Sequence, residues 1–300
     1  VTFSIPNPLA APSDRKKRLR DLLAGSSLIS APGVFDCLTA RIVERAGFSA
    51  AYITGSGVSI TRIGAPDVAV ISFGEVLDQI RGIADSTSLP LIADADTGYG
   101  GPLSIIRTVR EFEKVGVAAI QLEDQELPKR CGHELGRRVV DTPVMVDRIK
   151  AATDTRRDDN FVVVARTDAR TPLGLDAAIE RAQAYAEAGA DVIFVESPES
   201  EEEMLRINQQ VQAPTLANLV EGGRTPILTA EQLTRIGYRV AIYPNSLTRL
   251  FGHMGARLMA ELKATGTTAG MSDSMLSHRE LWDLFDYPDW IKTESQYRMG

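Results

Sequence analysis

From Leu89 to Gly136 the chain reads LPLIADADTGYGGPLSIIRTVREFEKVGVAAIQLEDQELPKRCGHELG. Two apolar runs stand in it, and each ends in acid. Leu91 to Ala93 leads into Asp94 and Asp96, and Val117 to Leu122 leads into Glu123 and Asp124. Between them Leu103 to Val115 has the spacing of a helix, stopped by Gly116. This is a strand–helix–strand unit. Strand side chains alternate faces, so Asp94 and Asp96 point the same way, and Glu123 at the end of the neighbouring strand can meet them. Carboxylates this close repel unless a cation sits among them. Mg²⁺ fits such a set, because it takes few carboxylates and keeps waters and substrate oxygens. Zinc fits less well, since no histidine stands among the acids. Beyond them, Lys129-Arg130-Cys131-Gly132-His133 puts a thiol beside cations, which lowers a thiol pKa. Gly132 and Gly136 would let that loop close as a lid.

The same alternation runs outward in both directions. Strands are predicted at Leu28–Ala31, Ala50–Thr54, Leu91–Ala93, Val117–Leu122, Phe161–Ala165, Asp191–Val195, Thr215–Ala217 and Val240–Tyr243. Helices are predicted at Asp36–Ala46, Gly74–Ser86, Leu103–Val115, Thr142–Asp154, Leu175–Ala188, Glu201–Val211, Thr229–Ile236 and from about Ser246 to Ala264. The strands are short, apolar and not alternating, as strands covered on both faces should be. Eight such units predict a closed (β/α)₈ TIM barrel. A doubly wound open sheet is disfavoured, because no Gly-rich dinucleotide loop follows the first strand.

The bulk properties bound the rest. Three hundred residues at 44% hydrophobic and 24% charged suit one globular domain of this size, residues 1–300. A net charge of −7 argues against a nucleic-acid partner, and no apolar run is long enough for a membrane span. Two cysteines, Cys37 and Cys131, make no disulfide framework, so a reducing, cytoplasmic setting is expected. Residues 1–13 read as an N-terminal arm. The basic run Arg15-Lys16-Lys17-Arg18 reads as the solvated face of a helix that Ser13 or Asp14 caps and whose buried side is Leu19, Leu22 and Leu23. The tail 271–300 holds Trp282, Leu284, Phe285, Tyr287 and Trp290, and such a segment calls for a surface to bury against, as in packing on a second subunit.

Polar residues gather at the C-terminal ends of the predicted strands: Thr54, Asp94, Asp96, Glu123, Arg166, Glu196 and Asn218. Any one alone reads as a cap or loop residue. Together they share the barrel face where active sites lie. A metal there would chelate a 2-oxo or 2-hydroxy carboxylate. Arg166 could grip a carboxylate bidentately, and the turn Gly55-Ser56-Gly57 with Thr54 offers N–H donors to the same anion. Cys37 reads as structural.

Asp94-Ala95-Asp96-Thr97-Gly98-Tyr99-Gly100, Leu122-Glu123-Asp124-Gln125, Lys129-Arg130-Cys131-Gly132-His133, Ala165-Arg166-Thr167-Asp168-Ala169 and Leu216-Ala217-Asn218 resemble the isocitrate lyase / phosphoenolpyruvate mutase superfamily. So do Tyr52 to Gly57 and Pro66-Asp67. The resemblance runs from about Leu28 to Asp286. It implies a (β/α)₈ barrel whose last helix swaps between subunits in a homotetrameric dimer of dimers. It implies Mg²⁺, with Mn²⁺ as the alternative, bound at Asp94, with Asp67, Asp96 and Glu123 acting through waters. Thr54, Gly55, Ser56, Arg166 and Asn218 would hold the oxo-acid half of a small carboxylate substrate, beside Gly132, Glu196, Tyr52 and His133. Cys131 would protonate a nascent carbanion, with Tyr52 the candidate base.

The activity implied is lyase cleavage of a C–C bond in a 2-hydroxy di- or tricarboxylate of the 2-methylisocitrate or 2,3-dimethylmalate type, giving pyruvate or glyoxylate plus a carboxylate. Arg249 matches an arginine used for a second carboxylate, and Pro244 looks like the lyases. His278 stands where a further arginine is expected. Glu221 to Pro226 look instead like carboxyphosphonoenolpyruvate mutase. Oxaloacetate hydrolysis or decarboxylation, and phosphonate P–C chemistry, remain the alternatives on the same scaffold.

Overall fold

The computed structural model describes residues 14–132 and 134–297. The predicted arm, residues 1–13, and His133 lie outside the described residues. The strands are β1 (Ile29–Val34), β2 (Ala51–Ile53), β3 (Leu91–Asp94), β4 (Ala119–Glu123), β5 (Val162–Thr167), β6 (Val192–Val195), β7 (Thr215–Asn218) and β8 (Val240–Tyr243). All neighbours pair in parallel and in chain order. β8 returns to β1 in the register Ile29↔Val240 to Pro32↔Tyr243 and closes the barrel. The helices are α1 (Arg15–Ala24), α2 (Cys37–Arg45), α3 (Gly55–Ile63), α4 (Phe73–Ser86), α5 (Pro102–Lys114), α6 (Thr142–Thr155), α7 (Arg170–Leu173), α8 (Leu175–Glu187), α9 (Glu201–Gln210), α10 (Ala230–Ile236), α11 (Ser246–Thr265), α12 (His278–Leu284) and α13 (Tyr287–Gln296).

Burial explains why the strands carry no polar alternation. Val162, Val164, Phe194, Leu216 and Ile242 pack together inside the barrel. The intervening Val163, Ala165, Ile193 and Val195 pack outward among the helices, so both faces are apolar. β1 runs through Pro32-Gly33 to Val34, three residues beyond its expected end. Gly33 permits this, since a Cβ there would lie 2.2 Å from the Pro244 carbonyl oxygen.

The basic run of α1 is more than a solvated face. Asp14 caps the helix through the Lys17 N–H at 3.0 Å, and Leu19 plugs the barrel interior. Arg15 is buried and donates to the carbonyls of Ala84 at 2.6 Å and Gly116 at 3.3 Å. Arg20 pairs with Asp191 at 2.8 Å. These guanidiniums satisfy turn carbonyls at the N-terminal end of the barrel, where backbone acceptors would otherwise be orphaned.

Within the barrel, two helices go beyond the expectation. α7 is a short turn of helix before α8. α3 starts at the supposed Gly55-Ser56-Gly57 turn: Thr54 is its N-cap, accepting from the Gly57 N–H at 3.3 Å, and Gly64 ends it in the left-handed region. At the other end, α11 has no buried residue. After it the chain folds back, and Arg41 and Arg45 of α2 pair with Asp286. Trp282 packs between His278 and Tyr287, with ring centroids 5.4 Å from each, but Trp282, Tyr287 and Trp290 remain about half exposed.

Candidate active site

β3 and β4 end side by side, and their last residues are acids. Carboxylate oxygens of Asp94, Asp96 and Glu123 all lie within 4.8 Å of one another. Past Asp94 the backbone enters the left-handed region at Asp96 (φ 50°), which aspartate tolerates better than most residues. The Asp96 N–H then donates to Asp94 Oδ1 at 3.0 Å. The N-terminus of α3 abuts this platform, since a Cβ on Gly55 would come within 2.8 Å of Asp94 Oδ2.

The residues fit a hard cation. Glu123 Oε1 is buried with no hydrogen-bond partner among the described residues. Burial pushes the Glu123 carboxyl well above the usual range, against the pull of Arg166. Burial likewise raises Asp96 to about 6, although Lys129 opposes the rise. Buried, crowded carboxylates offering only oxygen are what Mg²⁺ or Mn²⁺ binds.

Lys129, next but one before the thiol in sequence, engages the acids. Its ammonium is buried, contacting Asp67 and lying 2.5 Å from Asp96 Oδ1. Burial opposes the charge, but Asp96, Asp67, Glu123 and Asp94 together raise its pKa well above the ordinary value. Lys129 thus ties the loop, and Asp67 with it, to the acid platform. The neighbouring Arg130 donates outward to the Leu135 carbonyl at 3.3 Å.

Arg166, near the end of β5, is buried in a ring of acid. Its Nε and Nη2 each donate to Asp168 at 2.9 Å, and it lies 3.3 Å from Glu196 and 3.5 Å from Glu123. Its guanidinium carbon sits 5.0 Å over the Phe194 ring. The side-on Nε/Nη2 edge is therefore taken by Asp168, and Nη2 also faces Glu196, so a substrate carboxylate would meet the end-on Nη1/Nη2 edge by sharing Nη2 with Glu196. Asn218 Nδ2 donates to Glu196 Oε2 at 3.0 Å. Tyr52 donates to Gln121 Oε1 at 2.9 Å, and Gln121 Nε2 donates to Asp94 Oδ1 at 3.2 Å. Burial, and after it Asp94, raises the phenol pKa well above its usual value, so Tyr52 is neutral here.

Sequence reasoning passed over Gln121, although a glutamine inside the apolar run Ala119 to Leu122 was its signal. It also took Glu123 and Asp124 as a pair. Adjacent strand residues face opposite ways, and Asp124 points outward, accepting from Thr167, Tyr185, Arg181 and the Asp168 N–H.

The loop carrying Cys131 is seated over the site. The Ser197 hydroxyl donates to the Gly132 carbonyl at 3.0 Å. A Cβ on Gly132 would lie 2.3 Å from Arg166 Nη2 and 2.6 Å from Glu196 Oε2. The cavity beneath the loop is about 40 Å³, lined by Tyr52, Thr54, Ser56, Asp67, Asp94, Cys131, Gly132, Arg166, Glu196 and Asn218, with Val220, Ile242, Pro244 and Asn245 along the remaining wall. That volume holds little more than a water molecule, so the loop as seated leaves little room for a substrate. Arg249 is not brought in. It lies on α11, half exposed, and donates to the Glu221 carbonyl.

Comparison with known proteins follows this geometry. A family profile described as phosphoenolpyruvate phosphomutase matches residues 19–263. The chain is 47% identical to a 2,3-dimethylmalate lyase of Eubacterium barkeri, over 94% of this chain and 98% of that one. It is 42% identical to a probable 2-methylisocitrate lyase of Corynebacterium glutamicum, over 95% of this chain and 93% of that one. A solved oxaloacetate acetylhydrolase, in complex with 3,3-difluorooxalacetate, superposes with a TM-score of 0.89 at 36% identity, covering 96% of this chain and 98% of that one.

Proposed function

Because this chain belongs to the phosphoenolpyruvate mutase/isocitrate lyase superfamily, we propose that it is a Mg²⁺-dependent lyase. Its substrate would be an alkyl-substituted 2-hydroxy dicarboxylate of the 2,3-dimethylmalate kind, cleaved to a 2-oxo acid and a carboxylate. The observation that carries the reading is a thiol-bearing loop roofing an acid platform and a buried arginine, with Gly132 against Arg166 and Glu196. The end-on edge of Arg166, with Asn218, Thr54 and Ser56, holds the C1 carboxylate and C2 oxygen. Tyr52 would serve as the base in its phenolate form, its own proton having first gone to solvent, and in that form takes the 2-hydroxyl proton as the C2–C3 bond breaks. The electron pair leaves on C3 as the enolate of the second product, and Cys131 Sγ–H protonates it. A dication held by Asp94, Asp96 and Glu123 would supply positive charge, which would steady the oxo oxygen and offset the carboxylates that keep the Tyr52 phenol weakly acidic.

Substrate size follows from the remaining wall. Val220, Ile242 and Pro244 are apolar, and Arg249 is committed to Glu221, so alkyl groups fit better than a third carboxylate. Pro244 also offers no hydroxyl to steady an attacking water, which favours cleavage over oxaloacetate hydrolysis. The test is product analysis by NMR after incubation with Mg²⁺ and 2,3-dimethylmalate, 2-methylisocitrate or oxaloacetate, for wild type and Cys131→Ser. Pyruvate from dimethylmalate, lost in the variant, is expected. Oxalate plus acetate from oxaloacetate would move the reading to the hydrolase, and an equally fast Cys131→Ser would end the role of the thiol.

The assembly belongs to the same proposal. α11 leaves its own barrel without burying a residue. Beside its first turn an apolar groove of about 380 Å³ opens between Pro32, Ile42, Val43, Phe48, Tyr243 and Leu247. A helix from a second copy fills that groove in our reading, giving a swapped dimer and a dimer of dimers. Light scattering on the purified chain tests it.

A further inference from the structure

Arg166 is held from behind, and what holds it also reaches the thiol loop. Asp168, fully buried, takes both hydrogen bonds of the Nε/Nη2 edge, while its own N–H donates to Asp124 Oδ1 at 2.9 Å. Its Oδ1 accepts a second cation: Arg137 Nη1 at 2.6 Å. The Arg137 side chain is fully buried and also donates to the Thr171 hydroxyl. Arg137 belongs to the far stem of the loop that carries Cys131. Gly136, just before it, takes a φ of 79°, a left-handed step that glycine makes without strain. A single carboxylate oxygen therefore receives both the stem of the lid and the substrate-facing arginine.

We propose that Arg137 is a positioning residue: it fixes Asp168, through it sets the end-on edge of Arg166, and so couples the seating of the Cys131 loop to the grip on the substrate carboxylate. The inference rests on Arg166 being the carboxylate-binding arginine of the proposed function. Arg137 itself does not line the cavity, so it acts through Asp168 alone. Without it, Arg166 is the one cation left bonded to Asp168 among the described residues, and Glu123 and Glu196 also draw on the same guanidinium. Its orientation is then set by three carboxylates and not by one clamped partner. Buried charge-assisted bonds are the ones with enough strength and direction to hold such geometry. Arg137 and the loop stem also move together, so a lid that lifts pulls on Asp168, and a lid that seats restores the clamp.

The test uses oxalate, a planar mimic of the oxo-acid half, titrated calorimetrically into the Mg²⁺-loaded full chain. Arg137→Met should weaken oxalate binding by about tenfold or more, the loss expected for disturbing one charge-assisted contact. Arg137→Lys, which can still reach Asp168, should stay within about threefold. Thr171→Val removes only the second partner of Arg137 and should give a smaller loss in a chain that folds, which keeps the test open if Arg137→Met does not. A fall in Tm with oxalate affinity unchanged in Arg137→Met and Thr171→Val would make Arg137 a scaffold residue and overturn the proposal. Wild type that fails to bind oxalate would refute the reading of Arg166, and this inference with it.

Discussion

Replacing Asp124 by Asn and, separately, Glu123 by Gln should give opposite results, although the two acids are adjacent. Asp124 Oδ2 accepts from Thr167 Oγ1 at 2.7 Å, Tyr185 Oη at 2.8 Å and Arg181 Nη1 at 3.2 Å, while Oδ1 takes the Asp168 N–H at 2.9 Å. Burial pushes its pKa up despite these donors, so the cost of substitution comes from the donors left behind. An asparagine has one acceptor oxygen and an NH₂ group. In either orientation the NH₂ faces a buried donor, and Arg181 loses its charged partner. Breaking a buried pair in this way costs about 3–5 kcal/mol. At roughly 2 °C per kcal/mol for a large chain, Tm should fall by about 6–10 °C.

Glu123 is the reverse case. Its buried Oε1 lacks a partner and burial holds its carboxyl pKa well up. A neutral isostere relieves that strain and forfeits only a 3.5 Å contact with Arg166, so Tm in EDTA should shift by no more than about 2 °C. Mg²⁺ affinity, however, should fall by about ten- to a hundredfold. Calorimetry in EDTA and isothermal titration with Mg²⁺ read the two quantities. A Glu123→Gln chain that melts as low as Asp124→Asn, or an Asp124→Asn chain that keeps its Tm and loses Mg²⁺, would refute the assignment of the two acids to opposite faces.

Other outcomes follow from the same geometry. Gly132→Ala places a methyl 2.3 Å from Arg166 Nη2; the lid then seats imperfectly, and kcat should drop about a hundredfold with Tm nearly unchanged, whereas wild-type turnover would show that the loop does not close this way. Mg²⁺ binding needs the ionised form of Asp96, whose carboxyl is pushed to about 6. Below that pH the measured Kd should weaken by about tenfold per unit or more, since Glu123, also held up by burial, must lose its proton too, and Kd should tighten as pH rises; a pH-independent Kd would contradict the burial of these acids. The metal-free protein carries the opposite sign. Folded Asp96 keeps its proton to higher pH than the unfolded chain does, so its contribution to stability declines as pH rises from about 4 to about 6. Lys129→Met, which removes the cation opposing the rise, should move that window upward, read by melting in EDTA across pH.

The barrel and the acid platform were legible in the sequence because they depend on short-range regularities. Each strand is a brief apolar run, several helices end at a glycine before the next strand, as at Gly47, Gly116, Gly189 and Gly237, and Asp94, Asp96, Glu123, Arg166, Glu196 and Asn218 all fall at strand ends that a closed barrel must bring to one face. Even the split between Glu123 and Asp124 was there to be read in strand alternation. α3 was hidden because Gly55 and Gly57 are poor helix formers, and only the Thr54 cap and the packing beneath outweigh that. What tertiary structure alone decided is where long polar side chains end. Lys129 passes beside its own thiol to reach Asp67 and Asp96, Arg137 turns inward to share Asp168 with Arg166, and Arg249 turns away to Glu221. A buried cation goes where buried anions lie, and those anions come together only once distant strands have closed into a ring.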